Sequence, residues 1–512
     1  MSLNSIKSRF SISLAANILR GLVMVLTTIV LARLLGADDY GRIAFLLATF
    51  QAIRQLMDPG VSSAFYTFLS QSNRSIRFMA FYGLFLLAKY LLMIGVFLLV
   101  MPESWLNYVW RGESRDILIF ALSAVLMQFE WWPSTLQVLE SQRKTALAQG
   151  LYLLLLTLQL LGVFLLHSLE ILNIKSFLLM SAVLWAGATI MLVLCYQSRA
   201  ISHTVRADEL LLKKYISYCL PLAPLVLLSF LVDFSDRWFL QSFGGSREQG
   251  FFSISQQIAS VTLLISASLM RVLWKEFAEA LHQDRVEQAR LLYTNVKKKL
   301  FFVSVSIAAA LGPWANDIVT MIFGQAYVLA APVFMVLIFA AVFQTLGQIE
   351  GTLLMASGNT ATGLKFNILT APVSIGLSFL LIAGTDGLKL SILPSLGALG
   401  LAVKILIVQV VSVNVQGYLL SQKLTWDFEW FYQIKILAVF IPLGFSTKIL
   451  FTILFENIIF AMILATIFYI FTVMILLVSF PRTLEVSFYL GWFDKAIQKR
   501  LGLSENQTSI DK

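Results

Sequence analysis

The sequence predicts an all-α integral membrane protein with about 14 transmembrane helices, arranged as two six-helix lobes followed by two further helices. Of its 512 residues, 58% are hydrophobic and only 13% are charged, and the mean hydropathy is +0.82. A soluble globular domain carries about 25% charged residues, so this composition excludes a soluble fold. Long apolar runs recur along the whole chain between short polar connectors, which is typical of a multi-pass membrane protein.

The apolar runs alternate with polar connectors regularly enough for each span to be placed. An even number of spans puts both termini on one side. Placing that side in the cytoplasm leaves roughly three times as many Lys and Arg residues inside as outside, as the positive-inside rule expects. The net charge of +10 is therefore explained by topology, and no nucleic-acid partner is expected. The predicted spans are 11–33, 41–68, 78–100, 116–138, 146–167, 176–197, 216–241, 250–272, 299–323, 328–356, 364–383, 396–419, 433–454 and 457–480.

Two segments of similar character, 16–50 and 224–258, indicate an internal repeat. In each, a span ends in a Gly-containing turn, and a second Gly (Gly41 or Gly250) opens the next span. Six spans separate the segments, so the two halves insert in the same orientation, as parallel repeats do. Chance similarity between apolar sequences is the alternative. The predicted organisation is an N-terminal lobe (1–205), a C-terminal lobe (206–420), two additional transmembrane helices (421–482) and a cytoplasmic amphipathic tail (483–512).

The longest inner connector, 271–299, places apolar residues at helical spacing among charged ones. This pattern predicts an amphipathic helix lying on the cytoplasmic surface of the membrane.

Arg20 and Arg54 fall near the middle of the first two spans. A guanidinium stays charged at any working pH, and at membrane depth it almost always faces a water-filled cavity or a partner charge. Its planar donors suit phosphate oxygens. We therefore predict an anion-selective cavity containing Arg20 and Arg54. Arg271, at the inner end of span 8, either attracts an anionic head group or anchors the helix.

Carboxylates accompany these cations. Asp58 follows Arg54 by four residues, on the same helical face, and either neutralises it or forms a switchable pair that substrate displaces. In span 7, Asp233 and Arg237 have the same spacing, which predicts a salt bridge; if they do not pair, Arg237 is a further candidate cation of the cavity and Asp233 a further candidate coupling carboxylate. Asp236 is then left without a cation on its own helix and becomes a candidate for proton or cation coupling. The remaining intramembrane charges are expected to pair within the lobes and rank second as site residues: Lys89, Glu130, Glu350 and Lys404.

The segment 31–65, LARLLGADDYGRIAFLLATFQAIRQLMDPGVSSAF, resembles the start of the Wzx-like oligosaccharide-lipid flippases of the multidrug/oligosaccharidyl-lipid/polysaccharide exporter superfamily. The runs DRWFL (236–240) and GFFSIS (250–255) resemble that family's seventh and eighth spans. The segment 271–293 resembles its following loop, although Lys275 stands where a proline is expected.

The resemblance implies two six-helix bundles around a cavity lined chiefly by spans 1, 2, 7 and 8. It also implies a function: moving undecaprenyl-pyrophosphate-linked oligosaccharide repeat units, for O-antigen or another surface polysaccharide, to the outer leaflet of the cytoplasmic (inner) membrane by alternating access. Membrane lipids are further expected partners. A polysaccharide polymerase and a chain-length regulator are open candidates.

Two alternatives within the superfamily remain open, and one from a different class is not supported. A peptidoglycan lipid-precursor flippase and a multidrug/cation antiporter belong to the same superfamily, but a cationic drug calls for carboxylates in the first span, where this chain offers Arg20. A membrane glycosyltransferase or polymerase would need a large catalytic outer loop. The two cysteines, Cys195 and Cys219, and the scattered histidines give no metal spacing. We therefore expect no enzyme activity, catalytic residue, metal or cofactor, and we leave coupling to a proton or sodium gradient open.

Overall fold

The computed structural model describes residues 6–71, 76–142, 144–197, 209–357, 360–384, 394–426 and 428–479. Within these ranges all regular structure is helical. The α-helices are α1 (Ile6–Leu56), α2 (Val61–Gln71), α3 (Ile76–Gly95), α4 (Glu103–Trp110), α5 (Arg115–Leu126), α6 (Trp132–Ser141), α7 (Thr145–Ser168), α8 (Ile174–Gln197), α9 (Glu209–Cys219), α10 (Ala223–Phe239), α11 (Gly245–Ser260), α12 (Leu263–His282), α13 (Val286–Leu311), α14 (Ala315–Phe323), α15 (Ala330–Ala356), α16 (Thr360–Ala383), α17 (Gly397–Leu424), α18 (Phe431–Leu454) and α19 (Ile458–Ser479).

Twelve helical stretches of the described chain are long and apolar enough to cross a membrane, so the chain is a multi-pass membrane protein. Two of these stretches, Ala15–Leu56 and Lys214–Ser260, each contain two predicted spans, which accounts for the difference from the predicted count of about 14. In both, a glycine with left-handed backbone separates the spans: Gly36 (φ 78°) in α1 and Gly245 (φ 82°) at the start of α11. Glycine reaches this conformation without steric cost, so it can change the chain direction there.

The two repeat segments contact each other reciprocally just beyond these glycines. A Cβ atom built on Gly41 would lie 1.7 Å from the backbone oxygen of Ser246, and one built on Gly250 would lie 2.5 Å from that of Ala37. The two segments align at these positions. Gly36 aligns with Gly245, Ala37 with Ser246, and Gly41 with Gly250. The segments therefore meet backbone to backbone about a local two-fold relation, at the predicted outer end of the spans.

In the inner half of span 2, the helix breaks at Pro59 before α2 begins, because proline removes a backbone donor and ends the helical ladder. A short 3₁₀ turn, Leu220–Leu222, likewise separates α9 from α10 in span 7. The two irregular regions approach each other, since the hydroxyl of Tyr215 donates a hydrogen bond to the backbone oxygen of Val61 at 2.6 Å. Contacts between the lobes therefore occur near both ends of the spans.

The inner connector 271–299 differs from its prediction. The structure has no separate surface helix in this described segment. Instead α12 continues to His282, the chain turns at Asp284 (φ 55°), and α13 starts at Val286. The amphipathic pattern is explained by packing, because Phe277 and Ala280 of α12 are buried against Ala289 of α13.

The two additional helices α18 and α19 follow the second lobe, and α18 packs against α13. Gly444 of α18 lies so close to Ala309 of α13 that a Cβ atom there would be 2.0 Å from the Ala309 backbone oxygen. Lys448 of α18 forms an ion pair at 2.8 Å with Asp317 of α14, the short helix that follows α13. The predicted amphipathic tail, 483–512, lies outside the described residues.

Candidate functional site: a polar cavity between the lobes

A cavity of about 550 Å³ lies where α1 faces the second lobe, within the range of about 300–1,000 Å³ that is typical of small-molecule sites. The first lobe contributes one wall, from the second half of α1. The second lobe contributes the rest, from α10, α11, α15, α16 and α17. The polar residues of the lining are Gln51, Gln55, Asp233, Asp236, Arg237, Gln256, Gln344, Ser374, Lys404 and Gln409.

The buried carboxylate of this lining is paired across helices. Lys404 Nζ lies 2.7 Å from Asp236 Oδ2 and 3.0 Å from Oδ1, and the hydroxyl of Ser378 also donates to Oδ1. The side chains of Lys404 and Asp236 are only 3% and 12% exposed. As predicted, Asp236 has no cation on its own helix, but Lys404 of α17 compensates its charge.

Arg237 is held by neutral groups. Its guanidinium donates to Gln249 Oε1 at 3.3 Å, to Ser253 Oγ at 3.1 Å and to Gln256 Oε1 at 2.6 Å. It also lies 4.6 Å from the centre of the Phe252 ring, a cation–π contact. The acceptors all come from α11, which follows α10 after the turn at Gly245.

The predicted salt bridge between Asp233 and Arg237 does not form: within the described chain, no ion pair of 4.0 Å or less joins them. Asp233 is exposed towards the cavity instead. The i,i+4 spacing places Asp233 and Arg237 on the same face of the helix, but the guanidinium of Arg237 forms its hydrogen bonds with side chains of α11. Asp233 is the carboxylate of the lining that has no ion-pair partner among the described residues.

The first lobe buries its own charge pair away from this cavity. Lys89 Nζ lies 2.6 Å from Glu130 Oε1, and both side chains are at most 3% exposed. Lys89 also donates to the backbone oxygen of Arg54. Pairing of these two residues within a lobe is as expected. Glu350 is likewise paired within the second lobe, with Lys297 at 2.7 Å.

Asp58 turns towards α2 rather than towards Arg54. Its carboxylate accepts hydrogen bonds from the backbone amide of Ser62 at 2.9 Å and from the Ser62 hydroxyl at 2.5 Å, as a capping residue does. No ion pair joins Asp58 to Arg54 in the part of the chain that is described. The Nε atom of Arg54 is buried and has no hydrogen-bond partner there.

Arg20 packs inside the first lobe. Its guanidinium lies 4.6 Å from the centre of the Tyr152 ring on α7 and donates to Asn17, one turn earlier on α1. Neither Arg20 nor Arg54 lines the cavity. The charged residues that line this cavity are two carboxylates, one Arg and one Lys, which sum to zero, and a cationic cavity built on Arg20 and Arg54 stays a prediction. The side chain of Arg271 lies outside the described residues.

Sequence reasoning missed the five glutamines of the lining, because it searched the spans only for charge. Gln51 and Gln55 are one helical turn apart in a largely apolar stretch of α1 that also contains Arg54. Uncharged amides in such a stretch were a usable signal, since buried polar groups need partners or water.

The comparisons with known proteins agree with this architecture. The family model described as "Polysaccharide biosynthesis protein" matches residues 30–332. No curated protein sequence matches the chain. The fold is similar to that of "Lipid II flippase MurJ, inward closed conformation", with a TM-score of 0.65 and 14% identity over 90% of this chain and 97% of that one.

Two further solved structures have the same fold. One is an outward-facing multidrug resistance MATE family transporter of the MOP superfamily (TM-score 0.58, 13% identity, 82% of this chain and 96% of that one). The other is a MOP superfamily transporter from Pyrococcus furiosus whose title reports reverse polarity of the binding pocket (TM-score 0.54, 14% identity, 82% and 96%). At this identity the likeness shows the fold alone. The family match covers more than half of the sequence, and the chain therefore belongs to the polysaccharide biosynthesis protein family, whose structural neighbours are transporters and flippases rather than enzymes.

Proposed function

We propose that this protein is a flippase that moves undecaprenyl-pyrophosphate-linked oligosaccharide repeat units from the inner to the outer leaflet of the cytoplasmic membrane, with both termini in the cytoplasm. The observation that carries the proposal is a polar cavity between two lobes of a transporter fold, in a chain of a polysaccharide biosynthesis family. Alternating access requires such a cavity to be reached from one side at a time, and contacts between the lobes near both ends of the spans could open in turn.

Arg237 is the cation best placed to receive the pyrophosphate. Its present acceptors are neutral oxygens, so phosphate oxygens can replace them and form stronger, charge-assisted bonds. Lys404 is less available because Asp236 already holds it with two short contacts. Arg54, with a buried unpartnered Nε, is a second candidate for a head group moving along α1.

Asp233 supports a coupling role and also a rival function. A carboxylate exposed to the cavity could bind a proton or sodium ion, and that binding could drive the change between states. The same carboxylate favours the alternative of a multidrug/cation antiporter, since a cationic drug would need it. The alternative of a peptidoglycan-precursor flippase is supported by the similarity of the fold to that of the lipid II flippase.

The test is a flipping assay in proteoliposomes that contain the full chain. A fluorescent undecaprenyl-pyrophosphate oligosaccharide is added, and its accessibility to a membrane-impermeant reductant is followed. We expect flipping by the wild type and, for Arg237→Ala, a rate lower by about 10- to 100-fold, because charge-assisted hydrogen bonds contribute about 1.5–3 kcal/mol. Arg20→Ala is the matched control and should retain most of the rate, since Arg20 lies outside the cavity.

Three comparisons in the same vesicles separate the alternatives. Flipping of lipid II but not of the oligosaccharide lipid would assign the peptidoglycan role. Uptake of a cationic dye that requires Asp233, without lipid flipping, would assign the antiporter role. An imposed pH or sodium gradient should accelerate the wild type and leave Asp233→Asn unchanged; equal acceleration of both would remove Asp233 from coupling.

A further inference from the structure

We infer that the glycan carried through the cavity is uncharged, and that glutamine amides of both lobes form its binding subsite. This inference rests on the proposed function and concerns the sugar part of the substrate. Its starting point is the lining, in which amides outnumber every other polar group.

The amides are available for a ligand. The side-chain amides of Gln51 and Gln55 of α1, Gln344 of α15 and Gln409 of α17 make no hydrogen bond within the described chain, and Gln344 is exposed to the cavity. Each amide offers two N–H donors and a carbonyl acceptor. Sugar hydroxyl groups both donate and accept, so a row of such amides matches a neutral glycan without requiring any charge on it.

The amides also come from both lobes. Gln51 and Gln55 are four residues apart and share one face of α1, which belongs to the first lobe. Gln344 and Gln409 belong to helices of the second lobe. A glycan bound between them would contact both lobes through uncharged groups, and these contacts would change as the lobes move.

The charges of the lining argue against an acidic sugar. Asp236 neutralises Lys404, and Arg237 is the cation left for the pyrophosphate. A sugar carboxylate entering the cavity would give up hydration and would find no uncommitted cation among the described lining residues. It would also be repelled by Asp233, because like charges interact strongly in a low-dielectric site.

The experiment measures binding rather than transport, so that its result is separate from the flipping assay. Purified full-length protein in detergent is titrated with two lipid-linked pentasaccharides that differ in one sugar, a hexose or the corresponding uronic acid. We expect the neutral compound to bind at least tenfold more tightly. Equal or tighter binding of the acidic compound would overturn the inference and leave the flippase function standing.

Variants then locate the subsite. Gln344→Leu should weaken binding of the neutral pentasaccharide at least fivefold and leave the affinity for undecaprenyl pyrophosphate itself unchanged. Gln257→Leu, at a residue next to the lining residue Gln256 but outside the cavity, is the control and should bind like the wild type. Unchanged glycan binding by both Gln344→Leu and Gln51→Leu would contradict the assignment. A wild type that binds the neutral glycan but fails to flip it would instead count against the proposed function.

Discussion

The two lobes hold their intramembrane charges in different ways. In the first lobe, Lys89 and Glu130 form a buried ion pair, and the guanidinium of Arg20 lies against the ring of Tyr152. The second lobe also has a pair outside the cavity, Lys297 and Glu350, but its Asp233 and Arg237 line the cavity, as does the pair formed by Asp236 and Lys404. The comparison shows that a repeat can preserve the scaffold while its halves diverge in chemistry. The first lobe contributes the amides of Gln51 and Gln55 to the cavity, whereas every charged residue of the described lining comes from the second lobe.

The two repeat segments have the same backbone conformation where they contact each other. Gly36 and Gly245 adopt nearly the same backbone conformation, with ψ of 174° and −178°. Gly41 and Gly250 each approach the backbone of the opposite segment. Close backbone packing therefore constrains both segments, whereas the charged residues of the cavity lining all come from the second lobe.

The largest expected effect comes from breaking one buried ion pair in each lobe. Lys89→Met and Lys404→Met should each lower the free energy of unfolding by about 3–5 kcal/mol, because each leaves a buried carboxylate unpaired. The double variants Lys89→Met/Glu130→Leu and Lys404→Met/Asp236→Leu remove both charges and should recover most of that stability. Thermal unfolding in detergent measures both steps.

Transport should separate the two double variants. The first-lobe double variant should flip the oligosaccharide lipid at close to the wild-type rate, because its pair lies outside the cavity. The second-lobe double variant should remain slow even when stable, because its pair forms part of the lining. Equal recovery of transport by both would show that the lobes do not differ in the way proposed here.

The sequence was sufficient for the spans and the repeat, and insufficient for the pairing of charges. Hydropathy fixes where the chain crosses the membrane, because each backbone and side chain must suit the lipid. Pairing depends on how far each helix is rotated about its axis, which span counting leaves open. Asp236 and Lys404 are 168 residues apart, so no local spacing rule could join them. The i,i+4 rule predicted a salt bridge between Asp233 and Arg237, but the guanidinium of Arg237 donates hydrogen bonds to side chains of α11 instead.

The same reason explains the positions of Arg20 and Arg54. Their predicted depth follows from residue number, but the direction of each side chain depends on the neighbours of α1. The guanidinium of Arg20 lies against the ring of Tyr152. Beyond the helix break, Asp58 accepts a hydrogen bond from Ser62 instead of pairing with Arg54. A search for amides as well as charges in the spans would have found Gln51 and Gln55.

An intermediate effect is expected at the contact that the lobes share. Gly41→Ala and Gly250→Ala both place a methyl group against a backbone oxygen, where no side-chain rotation relieves the overlap. Each should cost about 1–3 kcal/mol of stability and slow flipping, with the stronger effect at Gly41, where the overlap is greater. Gly83→Ala is the control, since a Cβ atom there meets no atom within 4 Å. A large loss at one position and none at the other would contradict the reciprocal contact.

The smallest expected effect tests whether Asp58 caps a helix or switches Arg54. Asp58→Ala removes both hydrogen bonds to Ser62 and should cost about 1 kcal/mol, the usual value for a lost capping residue. Asp58→Asn keeps an oxygen acceptor, and asparagine caps helices about as well as aspartate. It should therefore retain both stability and flipping if capping is the role of Asp58. If the carboxylate must instead exchange with the pyrophosphate on Arg54, Asp58→Asn will be stable but slow, and the first lobe will hold a charge that acts in transport after all.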